Sequence, residues 1–346
     1  METPVKVLIV DDSRTMRALI RRSFERHPGI TVCGEAGNPI EARDLIIKDQ
    51  PDVITLDVEM PGMNGLQFLE KIMRLRPIPV VMVSSLTVRG ADTAITALQM
   101  GAFDCFPKPT SVLGGDAFAG LARLVIQAAH SRPGVRAQAR APLVSSLLHQ
   151  KTWGSWVELV AIGSSTGGVE ALEEVLSGFP QHSPPIVICQ HMPPLFTASF
   201  ARRLDQKITS LSIAEVTDGE VLTPGMARIA PGGDRHTVVE QRDGRLITRL
   251  VHAAPVSGHC PSVDMLFGSV AREVGRNAIG IILTGMGRDG AEGLLAMRQA
   301  GAPTIAQDKA SSVVYGMPRV AAEIGAACQI IPLDQISNTA MAIHTR

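Results

Sequence analysis

Three short segments of this 346-residue chain hold the residue types of a nucleophilic hydrolase. Gly-Ser-Ser-Thr-Gly-Gly (163–168) places a serine in a glycine-rich turn, Gln-His-Met-Pro-Pro (190–194) supplies His191, and Thr-Gly-Met-Gly-Arg-Asp-Gly (284–290) supplies Asp289. A hydroxyl becomes a useful nucleophile when an imidazole takes its proton and a carboxylate orients that imidazole. Either Ser164 or Ser165 has the right type and place. Taken singly, a serine in such a turn is commonly a cap, His191 a packed loop residue and Asp289 a helix start. Their occurrence together, each after a separate apolar run, points to catalysis. The rival reading is a dinucleotide site, but glycines at 163, 167 and 168 have the wrong spacing for the nucleotide fingerprint. The next strand also ends in Gln190-His191 where a ribose-binding acid would stand.

A second constellation lies near the start of the chain: Asp11 and Asp12, Asp57, Ser84, and Lys108 before Pro109. Carboxylates meeting at one point are hard oxygen ligands that suit Mg²⁺, which commonly bridges a carboxylate to a phosphate. Asp12 and Asp57 are the expected ligands, with Asp11 nearby. The Ser84 hydroxyl and the Lys108 ammonium would then complete a pocket for a phosphoryl group. Ser13 reads only as a helix N-cap.

The elements that must position these groups follow from the apolar pattern. Lys6 to Val10 reads as a buried strand, Arg14 to Glu25 has helical spacing, and short β-rich runs recur at Ile30 to Cys33, Val53 to Leu56, Pro79 to Val83 and Cys105 to Phe106. Strands alternating with crossover helices predict a doubly wound parallel sheet, with its functional groups at the carboxyl ends of the strands. Beyond it, Val157 to Ile162, Ile186 to Cys189 and Ala278 to Leu283 are strands that run into the three hydrolase segments, so Ser, His and Asp should meet at one sheet edge. The expected architecture is therefore two doubly wound α/β domains, at 1–130 and 157–346. The stretch 131–156 between them reads as a linker, rich in Arg, Pro and Gly at its start, with Leu143, Val144, Leu147 and Leu148 spaced for a short helix. Trp153 and Trp156, the only tryptophans, could dock on either domain or on a partner, and ordinary packing that seals the seam between the domains is the favoured reading.

Composition narrows the classes of function. The 33 basic and 33 acidic residues cancel, which argues against a nucleic-acid-binding output, as does the lack of a helix-turn-helix pattern. Five scattered cysteines without a Cys-x-x-Cys pair fit a reducing compartment. No basic and apolar leader opens the chain, and no uncharged apolar run reaches about eighteen residues, so a cytoplasmic protein without membrane insertion is expected. His252, His259 and Cys260 match no closed zinc spacing. Cys189, on an apolar strand, reads as core.

The first constellation-bearing segment, from Asp11-Asp12 through Asp57 and Ser84 to Lys108-Pro109, resembles the response-regulator receiver family along essentially its whole length. That resemblance implies a flavodoxin-like fold, phosphorylation of Asp57 by a histidine kinase, and Mg²⁺. Many receivers carry an aromatic switch residue three positions before the lysine, where this chain has Cys105 beside Phe106. The segments Gly-Ser-Ser-Thr-Gly-Gly, Gln-His-Met-Pro-Pro, His-Cys-Pro-Ser-Val-Asp (259–264) and Thr-Gly-Met-Gly-Arg-Asp-Gly resemble the catalytic domain of the chemotaxis protein-glutamate methylesterases. By that resemblance Ser165 is the nucleophile, with Ser164 as the local rival, His191 is the base and Asp289 is the orienting acid. It also implies oxyanion donors near Thr166 and Met286, hydrolysis of glutamate methyl esters on chemoreceptors, and deamidation of receptor glutamines. Receiver phosphorylation would relieve inhibition of the hydrolase. Cys260 stands where relatives usually have a basic residue.

Overall fold

A computed structural model describes residues 3–60, 64–85, 87–109, 117–131 and 153–343 of the chain. The chain forms two compact units, Met1–Gln138 and Ala139–Arg346. Most of the expected linker, including the helix read at Leu143 to Leu148, lies outside the described residues.

In the first unit, β1 (Val5–Val10), β2 (Ile30–Ala36), β3 (Val53–Asp57), β4 (Val80–Ser84) and β5 (Asp104–Pro107) form one parallel sheet in the order β2-β1-β3-β4-β5. The helices are α1 (Arg14–Phe24), α2 (Pro39–Asp49), α3 (Gly65–Leu75), α4 (Val88–Gln99) and α5 (Ala119–His130). Their starts are set locally: Ser13, Asn38, Asn64 and Thr87 each accept a backbone N–H of the first turn, which satisfies donors the helix cannot satisfy itself. β3 and β4 are buried along their whole length, because helices cover both faces of a parallel sheet. Fully buried Leu8, Ile9, Ile54, Leu56, Phe24 and Leu69 make the core, each contributing about 1.5–3 kcal/mol by leaving water.

The second unit is also doubly wound. Its strands are β6 (Leu159–Ser164), β7 (Ile186–Gln190), β8 (Ser212–Glu215), β9 (Met226–Ile229), β10 (Arg235–Arg242), β11 (Arg245–His252), β12 (Ala278–Ile282), β13 (Thr304–Gln307) and β14 (Gln329–Ile331). Seven of them form a sheet in the order β14-β13-β12-β6-β7-β9-β8, every pair parallel, while β10 and β11 form a separate antiparallel hairpin. The α-helices are α6 (Gly168–Ser177), α7 (Phe196–Lys207), α8 (Val263–Glu273), α9 (Ala291–Gln299), α10 (Met317–Glu323) and α11 (Leu333–Ala342). The hairpin β10-β11 and the strands β8, β9, β13 and β14 are not among the strands expected from the sequence pattern, which gave β6, β7 and β12. Trp153 belongs to this unit: its ring meets Phe179 edge-on at 5.0 Å and its indole N–H donates to Ser183 Oγ at 2.9 Å. It is half-buried there.

The order β12-β6-β7 puts three strand ends side by side. β6 turns into α6 through Gly167, whose φ of +79° is open to glycine and strained for other residues. A Cβ there would also lie 2.6 Å from Val313 Cβ. The turn that carries the two serines is thus tight for a steric reason.

Candidate active site

Ser164 and Ser165 are adjacent, but their surroundings differ. Ser164, on β6, is fully buried and donates its hydroxyl to Gln190 Oε1 at 2.6 Å. Ser165 follows the strand; its residue is 8% exposed, and its hydroxyl has no hydrogen-bond partner among the described residues. Its backbone N–H donates to Thr284 O at 3.0 Å, which brings the loop after β12 against it. Gly285 makes that approach possible, since a Cβ there would lie 2.7 Å from Ser165 Cβ. The next residue in that loop is Met286, half-buried, with no hydrogen bond to its backbone N–H among the described residues. Thr166 is buried, and its carbonyl accepts from the Thr284 hydroxyl at 3.0 Å.

His191 follows β7, and its Nε2 lies 2.8 Å from Asp289 Oδ2. Asp289 is completely buried, an expensive place for a carboxylate unless every lone pair is used. It accepts from four donors: His191 Nε2, the Ser262 hydroxyl at 2.7 Å, Val263 N at 2.8 Å and Asp264 N at 3.1 Å. The last two are the first backbone donors of α8, so the helix start that Asp289 caps adds its own positive end. Burial by itself would raise this carboxyl, but the bond and charge of His191, with Ser262 and Val263, pull it down to about 2. An ionised carboxylate only accepts, so Nε2 is the donor, and in the neutral imidazole Nδ1 is then the nitrogen with the lone pair. That Nδ1 is buried and unpartnered among the described residues.

Two further residues frame the pair. His259 stacks on His191 with ring centroids 3.8 Å apart and planes 2° from parallel. His236, fully buried on β10, accepts the Ser262 N–H on Nδ1 at 3.1 Å and sits 3.2 Å from Ala254 O through Nε2, bracing the loop that carries His259 and Ser262. His252 faces Asp234 instead, at 3.7 Å on the exposed edge of the hairpin. Cys189 is completely buried, and burial pushes its thiol well up, away from the thiolate a nucleophile needs. The role of His259 escaped sequence reasoning because stacking between two loops leaves no spacing signal.

In the first unit the strand ends hold the acidic pocket. Lys108 Nζ lies 2.8 Å from Asp57 Oδ2 and 3.0 Å from Asp11 Oδ2. Carboxylate oxygens of Asp11, Asp12 and Asp57 lie within 4.8 Å of one another. Burial raises the Asp57 carboxyl to about 6, helped by the charge of Asp11 and opposed by Lys108. Burial would lower the Lys108 ammonium, but its bonds and charge interactions with Asp57 and Asp11 raise it. Three oxygen donors so close, two of them buried, fit a small divalent cation that would relieve their mutual repulsion. Ser84 meets this group through its backbone, its carbonyl accepting from Lys108 N at 2.7 Å, while its hydroxyl donates to Gly90 O at 3.2 Å, into α4. Cys105 is buried with Sγ 3.5 Å from Ala94 O, also on the α4 side. Phe106, one residue on, points toward α5, its ring 6.0 Å from that of Phe118. Strand alternation thus puts the aromatic ring on the opposite face from the switch position.

The two units and their strand-end groups define a class: a response-regulator receiver joined to an α/β hydrolase. Residues 160–340 match the family model "CheB methylesterase", and residues 7–113 match "Response regulator receiver domain". This chain belongs to the protein-glutamate methylesterase family. It is 54% identical to protein-glutamate methylesterase/protein-glutamine glutaminase 1 of Caulobacter vibrioides, over 97% of this chain and 96% of that one. It is 52% identical to the protein-glutamate methylesterase/protein-glutamine glutaminase of Agrobacterium fabrum, over 100% and 98% of the two chains. Among solved structures, the Thermotoga maritima CheB methylesterase catalytic domain is similar, at 37% identity and a TM-score of 0.52, covering 54% of this chain and 97% of that one.

Proposed function

We propose that this protein hydrolyses glutamate methyl esters on the cytoplasmic part of methyl-accepting chemoreceptors, releasing methanol, under the control of phosphorylation at Asp57. The observation that carries the proposal is the His191–Asp289 pair: Nδ1 of that histidine is buried and unpartnered among the described residues, and its backbone N–H donates to Ser164 O at 3.1 Å, next to Ser165. His191 takes the proton of Ser165 as its oxygen attacks the ester carbonyl, and Asp289 stabilises the imidazolium that forms. The tetrahedral oxyanion is received by backbone N–H groups near Thr166 and Met286, each such donor supplying about 3 kcal/mol. Methanol takes the proton from His191 as it leaves. Water then attacks the acyl-enzyme by the same route, freeing Ser165 and the glutamate carboxylate. A side-chain amide enters the same path with ammonia as the leaving group, so receptor glutamines are a second substrate.

The receiver extends over 1–130 and the catalytic domain over 157–346, with 131–156 as a tether on which Trp153 already packs against the catalytic unit. A histidine kinase supplies the phosphoryl group to Asp57. Asp12 and Asp57, with Asp11 nearby, would hold Mg²⁺, which neutralises charge on the transferring phosphoryl oxygens when bound. Lys108 holds the buried carboxylates in place before transfer. The neutral overall charge leaves no field for nucleic acid, and no helix among the described residues is long and apolar enough to cross a membrane. The working compartment on this reading is the cytoplasm.

Methanol release from a methylated receptor cytoplasmic fragment tests the assignment. Ser165→Ala should lose at least a thousandfold in kcat, whereas Ser164→Ala should keep measurable turnover, because the Ser164 hydroxyl is buried and committed to Gln190. The opposite ranking would move the nucleophile to Ser164.

A further inference from the structure

Beside His191, Gln190 makes three side-chain hydrogen bonds within the site. Gln190 ends β7 directly opposite Ser164 on β6, and its side chain is buried, the residue being 3% exposed. Its Nε2 donates to Ser165 O at 2.9 Å and to His191 O at 3.1 Å, while Oε1 accepts the Ser164 hydroxyl at 2.6 Å. Carbonyl oxygens only accept, so the amide nitrogen must face them, and both of its protons are used. Ser165 O receives a second donor, Gly168 N, at 2.8 Å. Space for the amide exists because residue 168 is glycine: a Cβ there would lie 1.9 Å from Gln190 Oε1.

We propose that Gln190 is a positioning residue of the hydrolase site, whose amide ties the backbone of Ser165 to that of His191 and is itself oriented by Ser164. This deepens the reading of Ser165 and His191 as nucleophile and base and rests on it. The two groups follow different strands, each one residue past the end of the ladder at Ser164 and Gln190. One N–H···O bond, His191 N to Ser164 O at 3.1 Å, continues the pairing beyond the strands. The Gln190 amide adds two more at the point where the side chains must be held for proton transfer. Small errors in such geometry are costly, since near-attack positioning is worth several powers of ten in rate. A buried network in which every donor and acceptor is used is also rigid.

The test uses the full chain and methanol release from a methylated receptor fragment. Gln190→Met keeps length and volume but removes all three hydrogen bonds; Gln190→Glu keeps shape and polarity but has no N–H for the two carbonyls. Each variant should lower kcat at least tenfold with KM within about twofold of the parent, in protein whose far-ultraviolet circular dichroism is unchanged. A kcat within twofold of the parent in either folded variant, or a loss confined to KM, overturns the proposal. Should Gln190→Met fail to fold, Gln190→Glu decides on the same criteria. Ser165→Ala, assayed in parallel, separates the two readings. If that variant is dead while the Gln190 variants are unimpaired, only the role of Gln190 falls. If it keeps parent activity, the nucleophile assignment falls and takes this proposal with it.

Discussion

His191 turns Nε2 to Asp289, at 2.8 Å, and leaves Nδ1 buried and unpartnered among the described residues. The familiar serine-protease arrangement uses the two ring nitrogens the other way round. What the chemistry needs is one nitrogen protonated against a carboxylate and the other free to accept, and either assignment of the ring meets that need. The acid is in turn held by the Ser262 hydroxyl and two backbone donors of α8, so base, acid and helix start form one unit.

That unit has a pH signature. Asp289 is drawn down to about 2, so it stays ionised in the folded protein where the unfolded chain would begin to bind a proton. Its contribution is fully present above its ordinary value near pH 4 and is lost as pH falls through about 2. Asp289→Asn should therefore lower the melting temperature of the catalytic unit at pH 7 by roughly 4–8 °C, with the gap closing between about pH 4 and pH 2. The same substitution should reduce kcat about 10³- to 10⁴-fold. Calorimetry across pH checks the first expectation, and an unchanged gap at pH 2 would contradict it.

Asp264 behaves in the opposite sense. Burial, and then the charge of Asp289, raise its carboxyl to about 6, against the bond it accepts from Gly293 N at 2.8 Å. The folded state binds this proton more tightly than the unfolded chain does. The contribution is thus favourable below about pH 4 and is lost as pH rises through about 6. Asp264→Asn keeps an acceptor for Gly293 and removes the charge, so its melting temperature should exceed the parent's at pH 7.5, on the order of 2 °C, and match it near pH 4. A variant less stable at pH 7.5 would show that the carboxylate is worth more there than its ionisation costs.

The His259 ring covers one face of His191. Aromatic contacts of this kind are worth about 0.5–1.5 kcal/mol, which corresponds to a two- to tenfold effect if the stack holds the base in its working rotamer. His259→Ala should lose about that much in kcat, and His259→Phe, which keeps a stacking ring, should recover most of it. Steady-state kinetics on the two variants decide; equal losses in both would assign His259 another role.

Control by the receiver is tested at Asp57. Asp57→Asn should abolish stimulation of methanol release by a small-molecule phosphodonor and leave the basal rate within about twofold of the parent. Chelation of divalent cations should remove the stimulation of the parent in the same way, because the three carboxylates that meet beside Lys108 need a counter-cation before an anionic phosphoryl group can approach. Stimulation that survives either treatment would detach the switch from this pocket.

Periodicity along the chain determined a good deal by itself. Apolar runs separated by helical segments specify two doubly wound sheets, and the polar residues just past each run must then gather at one edge, whatever the details of packing. The same local spacing placed the acidic pair, Asp57 and Lys108 at one rim, and Ser165, His191 and Asp289 at another. Choices among side-chain directions were decided only by tertiary structure. Residue type and local spacing alone do not separate Ser164 from Ser165, and it is the register of β6 against β7 that sets Ser164 opposite Gln190 and commits its hydroxyl there. The ring nitrogen that His191 offers to Asp289, the turning of Ser84 into α4, and the stack of His259 on His191 depend likewise on rotamers fixed by neighbours distant in the chain. Spacing records which face of an element a residue occupies. The partner it meets there is set by which strands lie side by side.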